Sequence, residues 1–247
     1  MSLSKIPVWG HGVVPLLFRN DSEEWCYSGH GSGTLLEFDG TIFAVVCKHS
    51  LNASSHCAED LRLVLRPDTF ELAEMDSYCV VSDKKEAGSK LEDIVAFPLS
   101  ASQIISFDAK SYKLDRPYRP CPEGVEEVWL CVGWPNQCRE TDHESRRARG
   151  IQDTMSVTLN KRDIFRGQDR FTIDPENDFD RPDHRLSGMS GGVILHLWRD
   201  GDDLVSNVEG IVIQGTIESG YVYSVSRRYL ESIGRTVATL TSNRSGL

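Results

Sequence analysis

Apolar residues along this chain gather in short runs that turn residues break at close intervals, a pattern that predicts β-strands throughout most of its length. An apolar run from Val13 to Phe18 ends at the polar turn Arg19-Asn20-Asp21-Ser22. Gly31 to Phe38 and Thr41 to Cys47 are two β-rich runs joined at Asp39-Gly40, a dipeptide that tolerates the positive φ of a tight hairpin. Further strands are expected over Leu61–Leu65, Ile94–Leu99, Val125–Trp134, Met155–Leu159 and Phe171–Ile173, and where Val193-Ile194-Leu195 follows a glycine-rich turn. Val208–Gln214 and Tyr221–Val225 form a last hairpin around Glu218-Ser219-Gly220, and a closing helix is expected over 227–236. Many short strands and almost no helix predict an all-β sandwich or barrel. Residues 100 to 123 break the pattern with polar and proline-containing sequence and suit a connection between an N-terminal lobe, 10–105, and a C-terminal lobe, 120–226. The arginine-rich stretch 139–149 reads as a solvated loop, with a partner-docking patch as the other reading.

Composition narrows the function more than the fold. The chain has 247 residues, enough for one large β domain or two small lobes with a buried core. Its formal net charge of -10 argues against nucleic acid as a partner, because phosphate contact requires a basic surface. No apolar run reaches membrane-spanning length, and the first ten residues lack the apolar core and small-residue cleavage site of a secretory signal. The seven cysteines, at 26, 47, 57, 79, 121, 131 and 138, are odd in number and form no C-x-x-C pair. Reduced thiols, a cytoplasmic location, no metal and no cofactor are therefore the expectations.

Three positions carry candidate chemistry. Ser190 stands between glycines in Gly188-Met189-Ser190-Gly191-Gly192, a turn that can present its hydroxyl and let backbone N–H groups reach an incoming oxygen. His49 follows directly on an apolar strand, where rigid structure can hold a base at the edge of a cleft. Asp93 opens the strand Ile94–Leu99, where burial demands a hydrogen-bonding partner such as an imidazole N–H. Each residue taken alone has an ordinary reading: a loop serine, a structural histidine, an aspartate ending a turn.

Together, with Gly31-Ser32-Gly33-Thr34-Leu35 leading into Cys47-Lys48-His49-Ser50, with Leu91-Glu92-Asp93-Ile94-Val95-Ala96, with Ser187-Gly188-Met189-Ser190-Gly191-Gly192-Val193-Ile194 and with Gly210-Ile211-Val212-Ile213-Gln214-Gly215, the chain resembles the trypsin-like, chymotrypsin-fold serine peptidases from about residue 29 to 226. The resemblance is to their bacterial intracellular branch without a PDZ module. It implies two six-stranded antiparallel Greek-key β-barrels with the active site in the cleft between them and a short C-terminal helix. It further implies Ser190 as nucleophile, His49 as general base and Asp93 as its orienting acid, with the N–H groups of Gly188 and Ser190 as the oxyanion hole. Losing one such donor costs about 2.7–4 kcal/mol of barrier. A protein or peptide substrate would lie along Ile213, Gln214 and Gly215 as an added strand, with His184 at the floor of the primary pocket.

Two departures matter. Met189 stands where the zymogen-activated members carry an acid, so activation by a freed N-terminus is not expected, and Ser50 stands in place of a disulfide-forming cysteine. The rival reading is a catalytically silent or partner-activated binding module on the same fold, held by a regulatory protein. A metal or thiol enzyme built on Cys47 and His56-Cys57 is disfavoured, since adjacent ligands point apart on a strand.

Overall fold

A computed structural model describes residues 10–21, 27–52, 60–66, 71–74, 79–80, 93–100, 102–103, 110–136, 139–142, 147–150, 152–165, 167–174, 186–216 and 218–245. The strands are β1 (Val13–Arg19), β2 (Tyr27–Phe38), β3 (Thr41–Cys47), β4 (Leu61–Arg66), β5 (Glu71–Glu74), β6 (Cys79–Val80), β7 (Ile94–Pro98) and β8 (Tyr112–Lys113), followed by β9 (Glu127–Gly133), β10 (Arg139–Asp142), β11 (Arg147–Gly150), β12 (Asp153–Phe165), β13 (Gln168–Ile173), β14 (Val193–Asp200), β15 (Asp203–Thr216) and β16 (Tyr221–Ser226). Among the described residues, α1 (Lys48–Asn52) and α2 (Arg227–Ser245) interrupt and close the series, and a 3-10 turn at Gly10–Gly12 precedes it.

The C-terminal strands close on themselves in the order β12-β13-β16-β15-β14-β9, an antiparallel barrel of six strands. The N-terminal strands form a sheet in the order β5-β4-β1-β2-β3-β7-β6, with β8 joined in parallel to β2. This departs from the expected second six-stranded antiparallel barrel: among the described residues the sheet is an open path. Its end strands are short among the described residues, β5 with four and β6 with two.

Strand β3 shows why so many runs in this sequence are apolar at every position rather than at every second one. Phe43, Val45 and Cys47 face a core shared with the barrel, while Ala44 and Val46 face the inner core of the N-terminal sheet. Strand β14 is divided in the same way, Val193 and Leu195 entering the shared core and Ile194 the barrel interior. A strand covered on both faces loses the apolar–polar alternation of a half-exposed one. The shared core thus fuses sheet and barrel, and each large apolar side chain within it contributes roughly 1.5–3 kcal/mol.

Two elements differ from expectation. The closing helix runs to Ser245 and not to residue 236, because Leu230, Ile233, Val237 and Ala238 continue one buried stripe against the shared core. Its β-branched and hydroxyl residues are weak helix formers, and tertiary burial overrides that preference. Thr236, Thr239, Thr241 and Ser242 turn their hydroxyls back onto carbonyls one turn earlier. Stretch 139–149, read as a loop, contains the β10–β11 hairpin, paired from Arg139 opposite Gly150 to Asp142 opposite Arg147. A backbone ladder needs no apolar side chain, so polar sequence conceals it.

The connecting segment is bound at several points. Arg227 donates to the Leu114 and Arg116 carbonyls, and Asn207 donates to the Arg119 carbonyl. No helix among the described residues is long and apolar enough to cross a membrane.

The helix stripe supplies a stability test. Leu230→Ala removes a fully buried side chain and is expected to cost about 2–5 kcal/mol in urea denaturation. Leu240→Ala, at a position 46% exposed, is expected to change stability by no more than about 0.5 kcal/mol.

Candidate active site

The pairing of β3 with β7 brings two distant residues together. Cys47 lies opposite Ile94, so His49, two residues beyond the end of β3, and Asp93, one residue before β7, share one end of the sheet. Asp93 holds the histidine twice: Oδ2 lies 2.5 Å from His49 Nδ1, and Oδ1 accepts the His49 backbone N–H at 2.8 Å. This double contact fixes the ring and assigns the Nδ1 proton to the carboxylate side, leaving Nε2 as the basic nitrogen. The pair is accessible, the side chains being 48% and 23% exposed.

Ser190 comes from the barrel. Its turn enters β14, and β15 holds it through Gly191 N–H to the Val212 carbonyl and Val212 N–H to the Gly192 carbonyl, both at 2.8 Å. Strand β2 holds it from the other lobe. Ser32 Oγ donates to the Gly188 carbonyl at 2.7 Å while accepting the Trp134 N–H at 2.8 Å, and Thr34 Oγ1 donates to the Gly191 carbonyl at 2.7 Å. The Ser32 N–H donates to the Ser190 carbonyl at 3.0 Å. Gly191 sits at φ +86 with the Ser32 carbonyl against it, leaving no space for a Cβ.

Met189 is 1% exposed and packs among Trp129, Cys131, Ile194 and Val212 in the barrel interior. An apolar anchor thus occupies the position beside the nucleophile candidate, and the turn needs no buried ion pair to keep its shape. Among the described residues the N–H groups of Gly188 and Ser190 donate to nothing, and the Ser190 hydroxyl has no hydrogen-bond partner.

His49, Asp93, Gly188 and Ser190 line a single cavity of about 770 Å³ between sheet and barrel. Ile213, Gln214 and Gly215 line it as well. Strand β14 begins at Val193 opposite Ile211, so residues 213–216 run on past it along the cavity wall. The Ile213 side chain is buried in the shared core, which leaves its backbone to face the cavity, while Gln214 is exposed. His184 lies outside the described residues. Sequence reasoning passed over Ser32, Thr34 and Asn136, whose N–H donates to the Ser187 carbonyl at 2.8 Å. The signal available was the pair of hydroxyls at alternate positions beside the apolar Leu35-Leu36, which places both on one face of the strand.

Cys47 lies beneath the pair. Burial first, and the Asp93 charge second, push its thiol well above the usual range. It remains protonated and donates to the Val212 carbonyl at 3.2 Å. Its sulfur lies within 4.8 Å of the His49 and Asp93 donors, but a thiolate without solvent would be costly there, and the direct His49–Asp93 contact accounts for both residues. The arrangement can therefore hold a proton-accepting imidazole, a hydroxyl and two backbone donors around one space. Neither a family model nor a curated protein matches this chain.

Removing the Ser32 hydroxyl deprives the Gly188 carbonyl and the Trp134 N–H of their shared oxygen. Ser32→Ala is expected to cost about 1–3 kcal/mol by urea denaturation. Ser187→Ala, at an exposed position on the same turn, should stay within about 0.5 kcal/mol.

Proposed function

We propose that the protein is a serine endopeptidase of the trypsin-like type, its N-terminal sheet standing in the place of the first of two barrels. The observation that carries this reading is the His49–Asp93 pair facing the same cavity as Ser190, on a turn whose Gly188 and Ser190 N–H groups have no acceptor among the described residues.

Ser190 Oγ attacks a substrate carbonyl while His49 Nε2 takes its proton, and the carbonyl oxygen gains charge as the tetrahedral intermediate forms. The two N–H groups receive that oxyanion. Asp93, bound to Nδ1–H, stabilises the imidazolium. His49 then returns the proton to the leaving amine, the acyl-enzyme forms, and a water activated in the same way releases the acid. Gln214, Gly215 and the Ile213 backbone give the substrate chain an edge to pair with, so specificity arises from an extended peptide laid beside β15. A protein or peptide is the partner required, and the chemistry uses neither metal nor cofactor.

The unpartnered Ser190 hydroxyl favours a second reading: a module whose serine meets His49 only when a regulatory protein or a substrate is bound. Fluorophosphonate labelling followed by intact-mass measurement separates the two. An adduct on the isolated protein, lost in Ser190→Ala, is expected. The absence of a Ser190-dependent adduct on the isolated protein would favour the second reading. Asp93→Asn should lower peptide hydrolysis by as much as about 10⁴-fold through the wrong imidazole tautomer, measured with the substrate that the labelled protein cleaves.

A further inference from the structure

The side of the barrel facing the connecting segment carries a second group of polar side chains, distinct from the cavity between the lobes. His196 on β14 lies directly opposite Trp129 on β9, and their rings stack with centroids 3.9 Å apart and planes 7° from parallel. The stack fixes an imidazole that is only 4% exposed. Its Nε2 lies 2.7 Å from Glu127 Oε2, and Cys121 Sγ completes a group in which all three donor atoms fall within 4.8 Å of one another.

The far side of the same ring is unresolved as a hydrogen-bonding problem. His196 Nδ1 faces Glu209 Oε1 at 3.7 Å, too far for a hydrogen bond, and both atoms are buried without a partner among the described residues. Glu209 is held in place by Arg162, which donates to it at 2.9 Å and to Asp169 at 3.0 Å. If a neutral imidazole donates from Nε2 to Glu127, its Nδ1 lone pair is turned toward a carboxylate. A cation on Nε2 reverses this, because the ring proton then resides on Nδ1 and points at Glu209. The carboxylate behind the histidine is the arrangement that orients metal-ligating imidazoles and raises their basicity.

We propose that Cys121, Glu127 and His196 form a binding site for a borderline-soft divalent cation of the zinc type. A thiolate, an imidazole nitrogen and a carboxylate oxygen are the donor types such an ion takes, whereas calcium and magnesium require oxygens throughout. Tetrahedral coordination sets neighbouring donors about 3.2–3.8 Å apart. The Glu127 carboxylate must therefore swing away from His196 by up to about 1 Å. Its side chain is 46% exposed and has room to do so, and the same exposure gives the ion its entry path. On binding, the Cys121 thiol releases its proton to solvent and the ring proton occupies Nδ1. A fourth position stays open to water. The ion joins the connecting segment, through Cys121, to β9 and β14 of the barrel, so it acts as a staple between the segment and the barrel wall.

The test uses the full chain, stripped with a chelator and titrated with zinc or cobalt ions alone. One ion per chain is expected, with a thiolate-to-cobalt charge-transfer absorption, a rise in Tm with zinc, and protection of one thiol from maleimide. Cys121→Ser and Glu127→Gln are each expected to weaken binding by at least about 10-fold, and Cys121→Ser to remove the charge-transfer band. His49→Ala is expected to bind the ion as the parent does. Circular dichroism confirms that each variant is folded. Binding unchanged in both Cys121→Ser and Glu127→Gln, or lost in His49→Ala, would place the ion elsewhere and overturn the proposal. So would the absence of stoichiometric binding. None of these readouts depends on peptidase activity.

Discussion

Two hydroxyls on one strand hold the two halves of this molecule in register at the point where its candidate chemistry lies. Ser32 and Thr34 reach from β2 to the carbonyls of Gly188 and Gly191, and the Ser32 N–H reaches the Ser190 carbonyl. These bonds lie between sheet and barrel, in a region where an unpaired backbone group carries its full desolvation cost. Met189 adds an apolar anchor inside the barrel. The turn is thus fixed from both sides by neutral contacts, and its shape does not depend on the charge of any one group.

The same economy governs the His49–Asp93 pair. Antiparallel pairing of β3 with β7 sets the two residues at one end of the sheet, and a single carboxylate then binds both the backbone and the ring of the histidine. Positioning comes from rigid strands, so little conformational freedom remains in the pair. Cys47 is a neutral thiol buried beside the pair, its ionisation suppressed by burial and by the nearby Asp93 charge.

The barrel carries its own ionic interior, and this part of the molecule obeys different physics. Glu209 and Asp169 are buried carboxylates shared by one guanidinium, and His196 sits between Glu209 and Glu127. Buried charges persist only where partners compensate them. Arg162 serves both carboxylates, yet Glu209 Oε1 and His196 Nδ1 stay unpartnered among the described residues, which is why the chemistry of that ring points beyond the protein's own side chains.

Much of the strand order along the chain is legible in the sequence, because glycine, proline and Asx residues break the apolar runs where the backbone turns, as at Asp39-Gly40. The helix beyond residue 236 and the β10–β11 hairpin are not, since burial in one case and a backbone ladder in the other override side-chain preference. His49, Asp93 and Ser190 stand out by residue type and local setting, each at the margin of an apolar run. What the sequence determined by itself was this local grammar: which segments extend, where they turn, and which polar groups are stranded at their ends. Tertiary structure alone decided that Ser32 and Thr34 clamp the turn, that Met189 anchors it, and that Cys121, Glu127 and His196 converge. The physical reason is separation along the chain. Periodicity reports which face a residue occupies, whereas the partner on that face is chosen by strand pairing, and pairing joins residues whose spacing in sequence carries no signal of their contact.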